Sequence, residues 1–282
     1  MLKRLLCLYL IILLSFLITG RCATAVKIAI LDSGCNIEYQ EGVSFVDDTI
    51  TDINGHGTAI AKIIKEYNPN ATLYIAKILN SNGNNFDITP LVNGIYWAIS
   101  CKVDIINLSL QIQSDEKAIH DAIKQAYQNG IILIASAGNK NDFIDNIIAE
   151  LHSFSQNSSN ISSNIKYPAK YEEVIAIGAI SNFLGIDRHE KYSPVGEKIE
   201  FVSNGSYGSK KGTSFAAARA TAIISKIRSD YPNYNVTQLR EILKLYAHDL
   251  GNRGKDSKFG YGKLEYRNPI TLAKEVSQSM KY

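Results

Sequence analysis

Ser214 is the first residue in this sequence whose surroundings suggest nucleophilic chemistry. It lies in Lys211-Gly-Thr-Ser-Phe215, at the start of a long apolar stretch that predicts a buried helix. A helix N-terminus presents unpaired N–H groups and positive potential, so negative charge that develops beside this hydroxyl would be stabilised. Serine is also an ordinary helix N-cap, and Ser214 alone indicates no function. A catalytic assignment therefore needs a base and an acid elsewhere in the chain.

His56 is the candidate base. It lies in Asn54-Gly-His-Gly-Thr58, where a predicted amphipathic helix begins. A helix N-terminus disfavours imidazolium, so we expect the ring of His56 to be a neutral base near neutral pH. The alternative is a histidine that only caps or packs against the helix. The two flanking glycines favour the functional interpretation, because they indicate a close backbone approach that a cap does not need.

Asp32 is the candidate acid, and Asn139 is a candidate donor to an oxyanion. Residues 26–31 form a short apolar run rich in β-branched side chains, which predicts a buried strand that ends at Asp32. Asp32 is then either an Asx-turn residue or a carboxylate held rigidly at the edge of a sheet. Asn139 likewise follows an apolar run and a glycine, so it is either a turn residue or an amide that points into a cleft.

The elements that must position these side chains alternate regularly along the chain. Short apolar runs separated by amphipathic segments predict βαβ units, right-handed crossovers and a parallel sheet. We therefore predict an α/β fold, a three-layer doubly wound parallel β-sheet with helices on both faces. Chemistry in such sheets lies at the carboxyl ends of strands, where Asp32, Ser109 and Ala137-Gly-Asn139 fall. Further predicted strands cover residues 73–79, 103–110, 131–136, 174–179 and 198–204; predicted helices cover 88–100, 116–129, 237–247 and 270–279; residues 141–164 form a polar surface excursion.

The first 25 residues differ from the rest of the chain. Lys3 and Arg4 precede an apolar run over residues 5–18, and Ala23-Thr-Ala25 is a small-residue cleavage pattern. These features predict a secretory signal peptide over residues 1–25 and one mature domain over residues 26–282. An uncleaved membrane anchor is the alternative, because the apolar run is at the short end for spanning a bilayer. A lipoprotein site at Cys22 is disfavoured by Arg21, which is not a small residue.

Composition excludes several classes of function. The chain has 282 residues, of which 45% are hydrophobic and 20% charged, as expected of one globular domain. Removal of residues 1–25 takes away Lys3, Arg4 and Arg21 and no acid, so the formal net charge falls from +3 to zero. Nucleic-acid binding therefore has no electrostatic support. Cys35 and Cys101 have no zinc-ligand spacing with any histidine, and we expect neither a metal site nor a cofactor.

Four segments closely resemble those of the subtilisin-like serine proteases. Two further segments, residues 93–98 and 106–110, extend the resemblance over nearly all of residues 26–264. It implies a subtilisin-like fold and a secreted serine endopeptidase with a polypeptide substrate. The four segments are Ile30-Leu-Asp-Ser-Gly34, Asn54-Gly-His-Gly-Thr58, Ala135-Ser-Ala-Gly-Asn139 and Gly212-Thr-Ser-Phe-Ala216.

The resemblance also implies a role for each candidate residue. His56 would take the proton from Ser214 during attack on a peptide carbonyl, while Asp32 fixes the histidine tautomer. Asn139 and the N–H of Ser214 would hold the oxyanion. An extended substrate would pair with the main chain of two cleft edges, Ser109-Leu110-Gln111 and Ser136-Ala137-Gly138. The alternative is an exported domain that binds peptides without cleaving them, which has no need of all four catalytic groups.

The sequence departs from the family pattern at several positions. Ala59 replaces a second histidine, and Ala218-Arg219 replaces Pro-His, so packing around the site should differ. Gln111-Ile112 stands where the family often has Gly-Gly, which should alter the choice of substrate. The stretch of residues 68–72 is too short for the loop that helps to build the family's tight calcium site. The first strand begins directly after the predicted signal and leaves no room for the usual propeptide, so a separate inhibitor or chaperone is a candidate partner. We also expect a monomer.

Overall fold

The computed structural model describes residues 25–80, 87–140 and 165–279. The predicted signal peptide and the predicted surface excursion over residues 141–164 therefore lie outside the described residues, apart from Ala25. Within the described ranges, no helix has the length and apolar character needed to cross a membrane.

A single large β-sheet forms the middle layer. Its spatial order is β11-β12-β8-β6-β5-β4-β1-β3-β2, with β7 paired to β6. The seven neighbouring pairs from β12 to β2 are parallel, whereas β7 and β11 pair antiparallel with their neighbours. The strands are β1 Lys27–Asp32, β2 Glu41–Ser44, β3 Thr72–Lys77, β4 Ile105–Leu108, β5 Ile132–Ser136, β6 Val174–Phe183, β7 Ile186–His189, β8 Ile199–Asn204, β11 Ala247–His248 and β12 Lys263–Leu264; a separate ribbon joins β9 Ser206–Tyr207 to β10 Lys210–Lys211.

Helices cover both faces of this sheet, as the alternation of apolar runs predicted. The helices α1, α4, α5 and α6 pack with one face of the strands, and α2 and α3 pack with the other. Helix α3 is amphipathic and buries one apolar stripe that consists of Ile119, Ala122, Ile123 and Ala126. The fold is therefore the predicted three-layer α/β architecture. The helix bounds are α1 His56–Tyr67, α2 Thr89–Ser100, α3 Lys117–Gln128, α4 Thr213–Asp230, α5 Val236–Tyr246 and α6 Pro269–Ser279.

Helix α4 is buried on most of its surface, and it packs against α1 and against β4, β5, β6 and β8. Its alanines allow this close approach to the sheet and to α1. Thr221, within this apolar helix, donates its hydroxyl proton to Oδ1 of Asn107 on β4, at 2.9 Å. Asn107 Nδ2 in turn donates to Ser109 Oγ at 3.0 Å. Buried polar groups need hydrogen-bond partners, so these two hydrogen bonds fix the position of α4 along β4.

Several strands were not predicted, among them the short β11 and β12. Strand β2 lacks an apolar run and is only partly buried, so neither an alternation of apolar residues nor overall hydrophobicity indicates a strand there. The predicted strand over residues 174–179 is longer than expected, because β6 continues to Phe183 and returns as β7 through a tight turn. Leu184 and Gly185 adopt φ values of 51° and 82° in that turn. The short β9–β10 ribbon was also missed.

Candidate active site

The ends of a strand and of two helices bring Asp32, His56 and Ser214 together. Asp32 is the last residue of β1, and His56 and Ser214 lie in the first turns of α1 and α4. Helix α1 packs on α4, and both helices pack on the sheet that contains β1. The three residues therefore lie at one edge of this sheet. The sequence prediction that these residues converge agrees with this placement.

The closest catalytic contact joins His56 to Asp32. Nδ1 of His56 lies 2.8 Å from Oδ1 of Asp32, and the two side chains are 28% and 0% exposed. A carboxylate only accepts hydrogen bonds, so this contact requires the proton of the neutral ring to be on Nδ1. The other ring nitrogen, Nε2, is then free to accept a proton. The main-chain N–H of Ser33 also donates to Oδ1 of Asp32, at 2.8 Å.

Asp52 organises the start of α1, and sequence reasoning missed it. Its carboxylate accepts the N–H of Gly55 at 2.7 Å and both the N–H and the hydroxyl of Thr58, at 2.7 and 2.6 Å. Burial alone would raise the pKa of Asp52, but these hydrogen bonds together lower it. Ser33 Oγ lies 2.9 Å from Asp52 Oδ1 and 3.2 Å from Asp32 Oδ1, so it connects this cap to the catalytic acid.

The charge environment of His56 differs from the sequence expectation. The helix N-terminus was expected to disfavour imidazolium, but the negative charge of Asp32 raises the pKa of His56 above its ordinary value of 6.5. Burial acts in the opposite direction and is the smaller effect; Asp52 adds to the rise, and Lys210 opposes it. The carboxylate dominates because it is a full charge in direct contact, whereas the helix end carries only about half a charge.

Ser214 forms a reciprocal contact with Ser109. The Ser214 hydroxyl donates to the carbonyl oxygen of Ser109, and the Ser109 hydroxyl donates to the carbonyl oxygen of Ser214, both at 3.1 Å. The ring of Phe215 lies beside the imidazole of His56, and their centroids are 5.8 Å apart. Among the described residues, no hydrogen bond joins Ser214 to His56. Proton transfer from Ser214 to His56 would require the hydroxyl to leave Ser109 and turn towards the imidazole.

The side-chain oxygen of Asn139 is held by Thr213, at the start of α4. This atom, Oδ1, accepts the N–H of Thr213 at 3.0 Å and the hydroxyl of Thr213 at 3.1 Å. That hydroxyl also lies 2.9 Å from the carbonyl oxygen of Gly138. The hydroxyl has one proton to share between these two oxygens, so the main-chain N–H of Thr213 is the donor that orients the amide, and Nδ2 has no protein partner within the described ranges. Thr213 is a further residue that sequence reasoning missed, although it stands in the same motif as Ser214.

The two predicted cleft edges lie side by side, because β4 and β5 pair in parallel up to Leu108 and Ala135. Ser136 Oγ donates to the carbonyl oxygen of Leu110 at 3.2 Å, which ties the edges together. The main chain of Ala137 is already used, since its N–H donates to Ile177 and its carbonyl accepts from Lys166. A substrate backbone that pairs with Ala137 would have to share or displace these hydrogen bonds, and this pairing stays a prediction. The main chain of Gln111, in contrast, has no partner among the described residues.

Arg219 and Ala218 show how the departures from the family pattern are accommodated. Ala59 and Ala218 are buried in the core cluster that contains α1 and α4. The guanidinium of Arg219 donates to the carbonyl oxygen of Asn204 at 2.8 Å and to that of Ser206. Its Nε also donates to the hydroxyl of Tyr67 at 3.3 Å. This arginine therefore fastens the loop before α4 to the end of α1.

The connection between α1 and β3 does not fit a calcium ion. It comprises only residues 68–71, and two of its carbonyl groups are already taken. The ammonium group of Lys65 donates to the carbonyl oxygens of Pro69 and Ala71, at 2.9 and 2.8 Å. Calcium prefers six to eight oxygen ligands, and a lysine cation at these carbonyls would repel it. Elsewhere in the described chain, no cluster of three or more His, Cys, Asp or Glu side chains has metal-binding geometry.

Comparisons with known proteins agree with this architecture. The Subtilase family model matches residues 23–262. The chain is 32% identical over 271 residues to the "Minor extracellular protease Epr" of Bacillus subtilis (strain 168), covering 87% of this chain but only 38% of that protein. It is also 32% identical over 264 residues to "Subtilisin DY" of Bacillus licheniformis, covering 84% and 87% of the two chains.

A likeness to a solved structure supports the fold independently. The structure titled "Sphericase" superposes with a TM-score of 0.69 at 24% identity, over 87% of this chain and 92% of that chain. At this identity the likeness establishes the fold alone. Together with the family model and the relatives at 32% identity, it shows that this chain belongs to the subtilase family of serine endopeptidases.

Proposed function

We propose that this chain hydrolyses peptide bonds through Ser214, His56 and Asp32. The observation that carries the proposal is the 2.8 Å contact between His56 and the buried Asp32, which leaves Nε2 as the free base. In the proposed reaction, His56 takes the hydroxyl proton as Ser214 Oγ forms a bond to the carbonyl carbon. His56 then gives this proton to the leaving amine, and water hydrolyses the acyl-enzyme by the same proton transfers in reverse.

Asn139 is the proposed stabiliser of the tetrahedral intermediate. Thr213 holds Oδ1 of Asn139, so Nδ2 is available to donate to the oxygen of the attacked carbonyl. The N–H of Ser214, at the N-terminus of α4, is the second proposed donor. Donors that are fixed before the reaction stabilise the developing charge without reorganising during it.

The proposed substrate is a polypeptide in an extended conformation. Support comes from Gln111, whose main-chain N–H and C=O groups have no partner in the described chain and follow the end of β4. A substrate strand that pairs there would be held through its backbone, and side-chain pockets would provide selectivity. Ser109, Leu110, Ser136 and Gly138 remain proposed lining residues of this cleft.

Labelling with a fluorophosphonate probe tests the proposed nucleophile. The probe should modify the purified protein at Ser214, and peptide mapping should locate the adduct there. Ser214→Ala should abolish labelling, whereas Ser100→Ala, a change at an exposed serine on α2, should leave it intact. Absence of labelling in a folded protein that still binds peptides would favour the non-cleaving peptide-binding domain instead.

We also propose that the chain is exported and that residues 1–25 are removed. The support is the apolar segment with its small-residue pattern, together with a domain whose first strand begins at Lys27. Subtilase relatives that include an extracellular protease are consistent with export. Intact-mass measurement should give a chain that begins at or near Val26. A full-length mass recovered in the membrane fraction would indicate an anchored form.

A further inference from the structure

The side chain of Gln111 spans the cleft from one edge to the other. Its Oε1 accepts the main-chain N–H of Asn139 at 2.9 Å. Gln111 belongs to the edge that continues from β4, and Asn139 follows the edge that continues from β5. This contact is thus a bridge between the two cleft edges, at the residue proposed to stabilise the oxyanion.

A second side chain fills the same opening. A Cβ atom placed on Gly138 would lie 2.6 Å from Cγ of Lys166 and 3.0 Å from Oε1 of Gln111. Gly138 has a φ of 103°, so glycine is needed there both for the backbone conformation and for this close approach. Nζ of Lys166 donates to Oε1 of Gln113 at 2.9 Å, which is a neighbouring tie beside the bridge between Ile112 and Tyr167.

The proposed reaction fixes which part of a substrate meets this bridge. The attacked carbonyl carbon must contact Ser214 Oγ while its oxygen points towards Nδ2 of Asn139. The residue that carries this carbonyl then lies between the Ser109 edge and the Gly138 edge. A side chain on that residue that extends between these edges would meet Gln111, which joins them. A large side chain would have to break the bond between Gln111 and Asn139.

We propose that Gln111 restricts this subtilase to substrates with a small side chain, such as Gly, Ala or Ser, immediately before the cleaved bond. The inference rests on the proposed proteolytic function and specifies its substrate class. Gln111 is a specificity-determining residue here, and it takes no part in the covalent steps. Removal of its side chain should open the gap to Leu and Phe without disturbing Ser214, His56 or Asp32.

A series of peptides that differ only in the residue before the cleaved bond tests this proposal. The protein should cleave the Ala peptide with a kcat/KM at least about tenfold above that of the Phe peptide. Gln111→Gly should raise the ratio of kcat/KM for the Phe peptide to kcat/KM for the Ala peptide by about tenfold or more. Gln113→Gly is the matched control, because it removes the neighbouring tie and should preserve the ratio. Gln111→Ala is a second variant if Gln111→Gly does not fold.

Binding to Ser214→Ala separates this inference from the proposed catalysis. In that background, a peptide with Ala before the scissile position should bind at least about tenfold more tightly than its Phe counterpart, and Gln111→Gly should remove the difference. This pattern would uphold the role of Gln111 even if fluorophosphonate labelling failed. Equal or tighter binding of the Phe peptide with Gln111 present, or an unchanged ratio after its removal, would overturn the inference.

Discussion

Nδ1 of His56 lies 2.8 Å from Oδ1 of Asp32, and the carboxylate has no exposed surface. This contact determines both the tautomer of the base and its affinity for protons. A carboxylate that is removed from water and paired with imidazole favours the protonated ring. The same contact therefore controls the chemistry of the site and its response to pH.

Asp32→Asn should lower kcat by about 10⁴-fold, because the amide can hold the ring in the wrong tautomer and no longer stabilises imidazolium. Steady-state kinetics with a peptide substrate provide the measurement. Asp121→Asn, a change at an exposed aspartate on α3, serves as the control for loss of a carboxylate. A loss of less than about tenfold for Asp32→Asn would remove this residue from the proposed triad.

The acid side of the pH–activity profile should lie at higher pH than an unperturbed histidine would give. His56 must be neutral to accept a proton, and its pKa is raised above 6.5 by Asp32. Activity should therefore be lost as pH falls through this raised pKa. The dependence of kcat/KM on pH reports it, since that ratio reflects the free enzyme. In Asp32→Asn, the midpoint for loss of the residual activity should lie at lower pH than in the native protein. The same midpoint in both proteins would contradict the assignment.

The raised pKa of His56 should also affect the free energy of unfolding, and this contribution should decrease over the pH range in which activity increases. Because the pKa of His56 is raised in the folded state, its protonated pairing with Asp32 stabilises the fold fully below the unfolded pKa. This contribution is lost as pH rises through the folded pKa. Urea denaturation of the native protein and of His56→Ala should therefore show a free-energy difference that shrinks from pH 6 to pH 8, as estimated from a histidine pKa of about 6.5. A difference that grows with pH would refute this sign.

Asn139→Ala should lower kcat by roughly 10²–10³-fold, about 2.7–4 kcal/mol, with little change in substrate binding. The amide contributes as charge develops on the carbonyl oxygen, and not while the substrate is neutral. Fluorophosphonate labelling should survive but become slower, since the nucleophile remains. An increase in KM with kcat intact would instead identify Asn139 as a substrate-binding residue.

Ser214→Ala and the double variant Ser214→Ala, His56→Ala should have nearly the same residual activity. The triad acts as one unit, so loss of the base costs little once the nucleophile is absent. Comparison of both proteins with His56→Ala completes the cycle. Additive losses would show that the two side chains act independently, and the proposed proton transfer between them would then be wrong.

Chelation of calcium should leave the melting temperature largely unchanged, because Lys65 occupies the carbonyl groups of Pro69 and Ala71. Lys65→Met should destabilise the fold by about 1 kcal/mol through loss of these two hydrogen bonds. Lys62→Met is the matched control, since Lys62 is exposed on the same helix. Thermal unfolding with and without chelator measures both effects. A large fall in melting temperature on chelation would show that a calcium ion stabilises the native state elsewhere.

The sequence predicted the elements that carry the site more reliably than the contacts within it. Strand β1 is an apolar run that ends at Asp32, and α4 is an apolar run that begins beside Ser214. The apolar patterns therefore indicated where both residues lie in the fold. The cap that Asp52 forms on α1 was missed although Gly55 and Thr58 are close to it in sequence, whereas its contact with Ser33 is made only by the fold. The pKa direction of His56 was wrong for the same reason: the sequence does not give the distance to Asp32.

Gln111 shows a similar limit. Its sequence position indicated that a side chain stands at the cleft edge, but its direction depends on the spacing of β4 and β5 and on the space beside Gly138. Thr213 was overlooked because a threonine before the nucleophile resembles any helix-capping residue. Its role follows only from the orientation it gives to Asn139.

The lysine at the end of α1 has a consequence for where this protein can work. A dissociable ion occupies its site in proportion to its concentration outside the protein, so dilution or competition empties it. The ammonium group of Lys65 is joined covalently to the helix it supports, and it is present once per chain from synthesis onward. This corner of the fold is consequently independent of the mineral content of its surroundings, and its integrity cannot be regulated by a change in ion supply.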